Sequence, residues 1–332
     1  MNNYIGNSLQ IRGAERYILQ DGKGDGMHFI YVRNGKGLEA WISVDRAGDV
    51  SRIVVDGKNM GFFSPCGYVA PDYYDKEGLG FLKSFTAGFI TTCGLTQVGS
   101  PCEDDGEVLP LHGTVSHIPA TVCVMDEDKD GITIKLKLID SIIFGKKLEL
   151  CRVYRFSYNE NSFEMTDTVN NIGDSKSPYM VLYHCNMGYP LLTENSVVKI
   201  PFNSQSARDD HAEKYMDTAL LSEKPQVQYQ ERCYYYDVKE QGGTAKVGIY
   251  SPDFNVGMVM AFDKKGLDCF TQWKMMGVND YVMGLEPGNC NADGRSVTSE
   301  KGLLKFLEPG ESGTTKLKFS FVSDKAEFEG NF

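Results

Sequence analysis

An all-β fold of large antiparallel sheets, sandwich-like or barrel-like, is what this sequence predicts, on three observations. Apolar residues recur at every second position in run after run. Clusters such as "NNIGDSKSP", "DKKG" and "EPGESG" separate these runs, and 35 glycines suit a chain that turns often. Helical periodicity surfaces in "RDDHAEKYMDTALLSE", from Arg208, and nowhere else of note.

In chain order, "ITIKLKLID" puts Ile132, Ile134, Leu136 and Leu138 on one face. "LELCRVYRFSY" follows from Leu148. The segment "YMVLYHCNMGYPLL", from Tyr179, is apolar almost throughout. As a strand it sets Leu182, His184 and Asn186 on one side and Val181, Tyr183, Cys185 and Met187 on the other, with Gly188 and Pro190 ending it. Two polar groups in such company are either satisfied in a core or presented to a ligand. Further strands are expected in "VVKIPF" from Val197, "KVGIYSP" from Lys246, "VGMVMAFD" from Val256, "CFTQWKMM" from Cys269 and "YVMGLEP" from Tyr281. "TKLKFSFVS", from Thr315, alternates Leu317, Phe319 and Phe321. Nothing repeats at a fixed period and no low-complexity linker divides the chain, so residues 1–332 are expected to form one domain.

Composition narrows the function. A chain of 332 residues that is 41% hydrophobic can bury a large core. Its formal net charge of −11, without a basic run, repels phosphate backbones and anionic lipid, so neither nucleic acid nor a membrane is an expected partner. The start "MNNYIGNSLQIRGAERY" lacks the basic and apolar segments of a signal peptide, which predicts a cytoplasmic location. Nine scattered cysteines without a C-x-x-C pair read as free thiols of a reducing compartment. The G-x-S-x-G elbow, the P-loop and a strand-borne G-x-G-x-x-G are missing, which sets aside serine hydrolases, nucleotide hydrolases and dinucleotide enzymes.

Several polar groups invite a functional reading. "DEDKDG", from Asp126, imitates the opening of a calcium loop, but Lys137 stands where the bidentate glutamate belongs, so a solvated hairpin turn is expected. His112 and His117 are five apart and face opposite sides of any strand, which speaks against a shared metal. His112 lies between Pro110 and Gly113, a turn-like setting that can aim a side chain into a cavity. Glu286 follows a strand ahead of a Pro-Gly turn and is either a solvated strand end or, with Gly284 on the same face leaving room, an acid that faces a ligand. In "TQWKMMG", Gln272 and Lys274 share one face and Trp273 takes the other, where its indole either fills core or packs against a sugar ring.

Four stretches together, "CGLTQVG" at Cys93, "DDGEVLPLHG" at Asp104, "VNNIGDSKSPYMVLYHCNMGYPLL" at Val169 and "WKMMGVNDYVMGLEPGN" at Trp273, resemble the aldose 1-epimerase, or galactose mutarotase-like, superfamily, and within it a bacterial branch catalogued as a domain of unknown function. The similarity runs from about the first fifty residues to the last strand. It implies a β-supersandwich whose concave face holds a sugar. It also implies that His184 is a general acid, that Glu286 is a general base and that His112 lies near the ring oxygen, with Asn186 presented to the sugar beside His184.

The implied activity is mutarotation, interconversion of the α and β anomers of a monosaccharide by ring opening and closure, with neither metal nor organic cofactor required. The chain departs from the superfamily pattern: it reads "LHGT" where galactose mutarotases continue "LHGG", and "YHCNMGYP" in place of "NHxYFN", so altered sugar contacts are expected. Asp209, beside Arg208, is the candidate acid for a ring hydroxyl. Arg208 and Lys274 either lie in solvent or hold an anionic sugar. Two rival readings stand: a sugar-binding or sensing protein without activity, and a glycosidase pairing Glu286 with Asp104, Asp105 or Glu107.

Overall fold

The computed structural model describes residues 3–332. Among them, three large sheets dominate. A five-stranded sheet runs in chain order through Gly13–Ile18, His28–Arg33, Leu38–Ser43, Asp49–Val55 and Lys58–Asn59. A nine-stranded sheet begins with Thr121–Glu127, Gly131–Ser141, Lys147–Ser157 and Ser162–Asn171, then continues through the C-terminal strand Ser312–Val322 to Val256–Asp263, Thr244–Ser251 and Val197–Lys199, with the short Glu240–Gln241 also pairing with Thr244–Ser251. A six-stranded sheet is ordered Phe202–Ala207, Arg232–Val238, Cys269–Met276, Tyr281–Gly288, Met180–Met187 and Ile90–Leu95. Neighbours within each pair antiparallel. The architecture is the all-β one of large antiparallel sheets anticipated above. No helix among the described residues is long and apolar enough to cross a membrane.

Alternation explains the nine-stranded sheet. Ile132, Ile134 and Leu138 turn inward and stand opposite Phe156, Tyr154 and Leu150 of the next strand, which turn inward too. Phe163 and Met165 continue the same face opposite Phe319 and Leu317. One apolar cluster joins this face to Ile30 and Ile53 of the five-stranded sheet and to Tyr183 and Leu285 of the six-stranded sheet. A buried polar centre ties the three together. Arg152 donates to Asp167 at 2.6 Å, to Asp49 Oδ1 at 2.6 Å and to Thr92 Oγ1 at 2.7 Å, and Asp167 also accepts from the Tyr183 hydroxyl at 2.8 Å. The guanidinium is 1% exposed, so pairing at every side is what makes its burial tolerable.

The "DEDKDG" segment is the turn between Thr121–Glu127 and Gly131–Ser141, with Asp128 accepting from the backbone of Asp130 and Gly131. The helical window after Arg208 yields a single turn of α-helix, Asp210–Glu213, and a 3-10 turn, Met216–Thr218. Strands in the first hundred residues have no counterpart in the sequence reading. For Ile90–Leu95 the reason is burial of all six residues, which leaves the strand no solvent-facing side and no alternation to detect, whereas Leu38–Ser43 does alternate.

Candidate functional site

The site grows from strand register. Leu182 stands opposite Gly288 and Asn186 opposite Gly284, which brings His184 opposite Glu286. Glu286 stands in turn opposite Thr271, and Thr271 opposite Tyr235. Directly opposed residues share a face, so His184, Glu286, Thr271 and Tyr235 form one polar row across four strands. The adjacent row is Asn186, Gly284, Trp273 and Cys233. A cavity of about 440 Å³ opens over these rows, with His112, His184, Arg208, Glu231, Thr271, Trp273 and Glu286 among its polar and aromatic walls.

His112 arrives on a loop. It takes a left-handed backbone conformation, φ 59°, and Gly113 follows with φ 75°. A Cβ on Gly113 would lie 2.3 Å from the Gly94 carbonyl oxygen, so glycine alone lets the loop rest on the sheet there. The His112 ring then stands 5.5 Å from that of His184. Its Nδ1 is buried without a hydrogen-bond partner among the described residues. Burial, with smaller contributions from His184 and Arg208, lowers its pKa to about 3, so the ring is neutral near pH 7.

His184 is held in one tautomer. Asn186 Nδ2 donates to the His184 carbonyl oxygen at 2.8 Å, which orients the amide. The amide oxygen, 2.6 Å from His184 Nδ1, must then accept, so Nδ1 carries the proton and Nε2 is left for the cavity. Burial lowers the His184 pKa to about 4 against the opposing effect of that hydrogen bond. Glu286 Oε1 lies 3.3 Å from His184 Nδ1. Neither that oxygen nor the neighbouring Thr271 hydroxyl has a hydrogen-bond partner among the described residues. Burial, and then the charge of Glu231, raise the Glu286 pKa well above the carboxylate range. Space for this carboxyl comes from Gly284: a Cβ there would sit 2.1 Å from Glu286 Oε1. The room expected for a ligand beside Gly284 is thus taken by the carboxyl itself.

Arg208 and Trp273 are joined through Glu231, which accepts from Arg208 Nη2 at 2.9 Å and from the Trp273 indole at 2.7 Å. Phe85 stacks edge-on against His184 at 5.2 Å and keeps that side of the imidazole dry.

Of the residues singled out in the sequence, the structure brings His112, His184, Arg208, Trp273 and Glu286 to one cavity. Three take other places. Asn186 is fully buried behind His184 and positions it. Asp209 caps the short helix Asp210–Glu213, accepting from Ala212 N at 2.8 Å. Lys274, next in sequence to Trp273, points through the opposite face of the sheet and donates to Glu223 at 2.6 Å and to the Thr218 carbonyl at 3.0 Å. Gly188 and Pro190 do follow the end of the strand at Met187, but Gly188 abuts the Phe62 backbone and stands apart from the cavity walls. Asp104 and Glu107 are spent on Arg295, at 2.6 and 3.1 Å. Glu231, Thr271 and Phe85 were missed; each sits in an ordinary local context, and only pairing across strands reveals them.

None of the curated proteins matches the sequence. Residues 24–321 match the family model described as "Domain of unknown function (DUF4432)". A crystal structure of a candidate aldose 1-epimerase from Klebsiella pneumoniae is similar with a TM-score of 0.91 at 26% identity, over 98% of this chain and 88% of that one. A galactose mutarotase-like protein from Clostridium acetobutylicum has a TM-score of 0.68 at 16% identity, covering 95% and 99% of the two chains. Galactose 1-epimerase from Lactobacillus acidophilus has a TM-score of 0.62 at 13% identity, covering 95% and 100%. The chain therefore belongs to the DUF4432 family, within the galactose mutarotase-like superfamily.

Proposed function

We propose that the protein is an aldose 1-epimerase-type isomerase that interconverts the anomers of a monosaccharide, with His184 and Glu286 as the proton-transferring pair. The observation that carries this reading is their juxtaposition: an imidazole of defined tautomer and a carboxyl whose Oε1 has no hydrogen-bond partner among the described residues, 3.3 Å apart at nearest approach, line one cavity of sugar-accommodating size.

The pair holds one mobile proton in two arrangements. With the proton on His184 Nε2 and Glu286 ionised, the carboxylate takes the proton of the anomeric hydroxyl while the imidazolium gives one to the ring oxygen, and the C1–O5 bond breaks. That step leaves Glu286 protonated and His184 neutral, the arrangement that burial favours in the empty site. Rotation about C1–C2 then exposes the other carbonyl face. Neutral His184 removes the proton from the O5 hydroxyl, Glu286 returns one to the carbonyl oxygen, and the ring closes as the other anomer. His112, neutral with a free nitrogen, supplies a hydrogen bond near the ring oxygen. Trp273 offers the aromatic face, and Arg208 with Glu231 binds hydroxyls. The chemistry draws on these side chains and calls for no cofactor. We further propose that residues 1–332 fold as one unit around this site.

Exchange spectroscopy on anomeric proton signals tests the assignment. The wild type should accelerate exchange of at least one aldose, and Glu286→Gln and His184→Asn should each lower kcat by about 10² to 10⁴ while remaining folded. Sugar binding without faster exchange would instead favour a binding or sensing role.

A further inference from the structure

The charge and the apolar wall of the cavity together bear on which sugar it takes. Arg208 and Lys274 are the side chains that would attract an anionic sugar, but Lys274 leaves through the far face of the sheet. The Arg208 guanidinium is already matched, by Glu231 at 2.9 Å and by Asp209 at 3.6 Å. A phosphate, carboxylate or sulfonate brought beside it would face two carboxylates for one cation.

Much of the remaining wall is apolar, with the Ser100 hydroxyl as its polar side chain. The segment from residue 79 to 85 supplies Leu79, Phe81, Leu82 and Phe85, and Leu111 and Pro101 extend it. Phe81 is buried, whereas Leu79 and Leu82 are 61% and 51% exposed and so stand at the mouth. The acid-base pair, by contrast, lies at the floor, with Glu286 only 2% exposed. A sugar with its anomeric carbon at the floor directs its remote end toward those leucines. Hydroxyls there would give up water without regaining a partner, while methyl or alkyl groups would bury apolar surface on both sides. The volume, about 440 Å³, also exceeds what a single pyranose ring fills.

We propose, building on the mutarotase reading above, that the substrate is an uncharged sugar carrying an apolar substituent at the end remote from its anomeric carbon, as a 6-deoxy or 6-O-acyl hexose does. The test measures anomer exchange by NMR and binding by calorimetry for glucose and galactose, their 6-deoxy and 6-O-butanoyl analogues, and their 6-phosphates. The expected order in kcat/KM is 6-O-butanoyl and 6-deoxy above the parent hexose, by about fourfold per methylene buried, with the 6-phosphates below it. In the double variant Leu79→Ser, Leu82→Ser the ratio of 6-O-butanoyl to parent should collapse toward one. Parent sugars equal to or better than the analogues, 6-phosphates ranked first, or a ratio indifferent to the leucine changes would overturn the proposal. If no sugar exchanges faster but calorimetry keeps the same ranking, the substrate class stands and the catalytic reading falls. If no sugar binds, both fall.

Discussion

Asn186 does not itself line the cavity, yet through His184 it decides which imidazole nitrogen faces that space. Its amide is oriented by a carbonyl and in turn holds the proton on His184 Nδ1. Asn186→Leu should therefore cost about 10² in kcat, within the range for a displaced acid-base group, with a small change in KM. Asn186→Asp should restore much of the rate, because a carboxylate also accepts from Nδ1, and should move the acid limb of the pH profile upward by stabilising the imidazolium. In the wild type that limb should appear near pH 4, where His184 in the free protein gains its proton and no base remains. The alkaline limb follows from Glu286: its raised pKa keeps the acid available well above the ordinary carboxylate range, and activity falls once both groups are deprotonated. An exchange-rate profile showing loss of activity already at pH 6 on the acid side would contradict this ordering. Gly284→Ala belongs to the same scale. A methyl 2.1 Å from Glu286 Oε1 displaces the flexible end of that side chain, so kcat should fall at least tenfold while circular dichroism stays native.

At the scale of the strand, Cys269–Met276 shows what periodicity can and cannot say. Alternation alone separates Trp273 from Lys274, so only one of them can face a given cavity. Which one does depends on what lies on each side of the sheet. The far side holds Glu223, whose carboxylate is drawn below its usual range chiefly by Lys274 once burial's opposing effect is overcome. Lys274→Met should accordingly lower stability by about 2 kcal/mol, the value of a charged hydrogen bond in a largely buried setting, seen as a lower urea midpoint. It should leave KM for the sugar unaltered; a raised KM with native stability would return Lys274 to the binding site. Strands such as Lys147–Ser157 were readable because one face is core and the other is half exposed. Ile90–Leu95 and Met180–Met187 are buried on both faces, and in the latter it was the polar pair His184 and Asn186 that stood out, not any periodicity.

Across the whole molecule, Arg152 is the joint at which the three sheets meet. Replacing it with Met removes the cation from two nearly fully buried carboxylates, Asp49 and Asp167, and should cost about 3–5 kcal/mol. Because its partners span all three sheets, the loss should appear as one cooperative urea transition shifted to lower denaturant; two separable transitions would refute folding as a single unit. What the sequence by itself determined is the class of fold and the principal strands from Ile132 onward, since a period of two is a local property of the chain; His112, His184 and Glu286 were singled out as a set by their likeness to the superfamily's motifs and not by spacing. Only the tertiary structure decided that Asn186 serves His184, that Gly284 houses a carboxyl, that Asp209 caps a helix and Lys274 faces away, and that Glu231 and an apolar wall from residues 79 to 85 complete the cavity. Those outcomes depend on cross-strand register and on packing between segments far apart in sequence, and neither is written in the local pattern of any one strand.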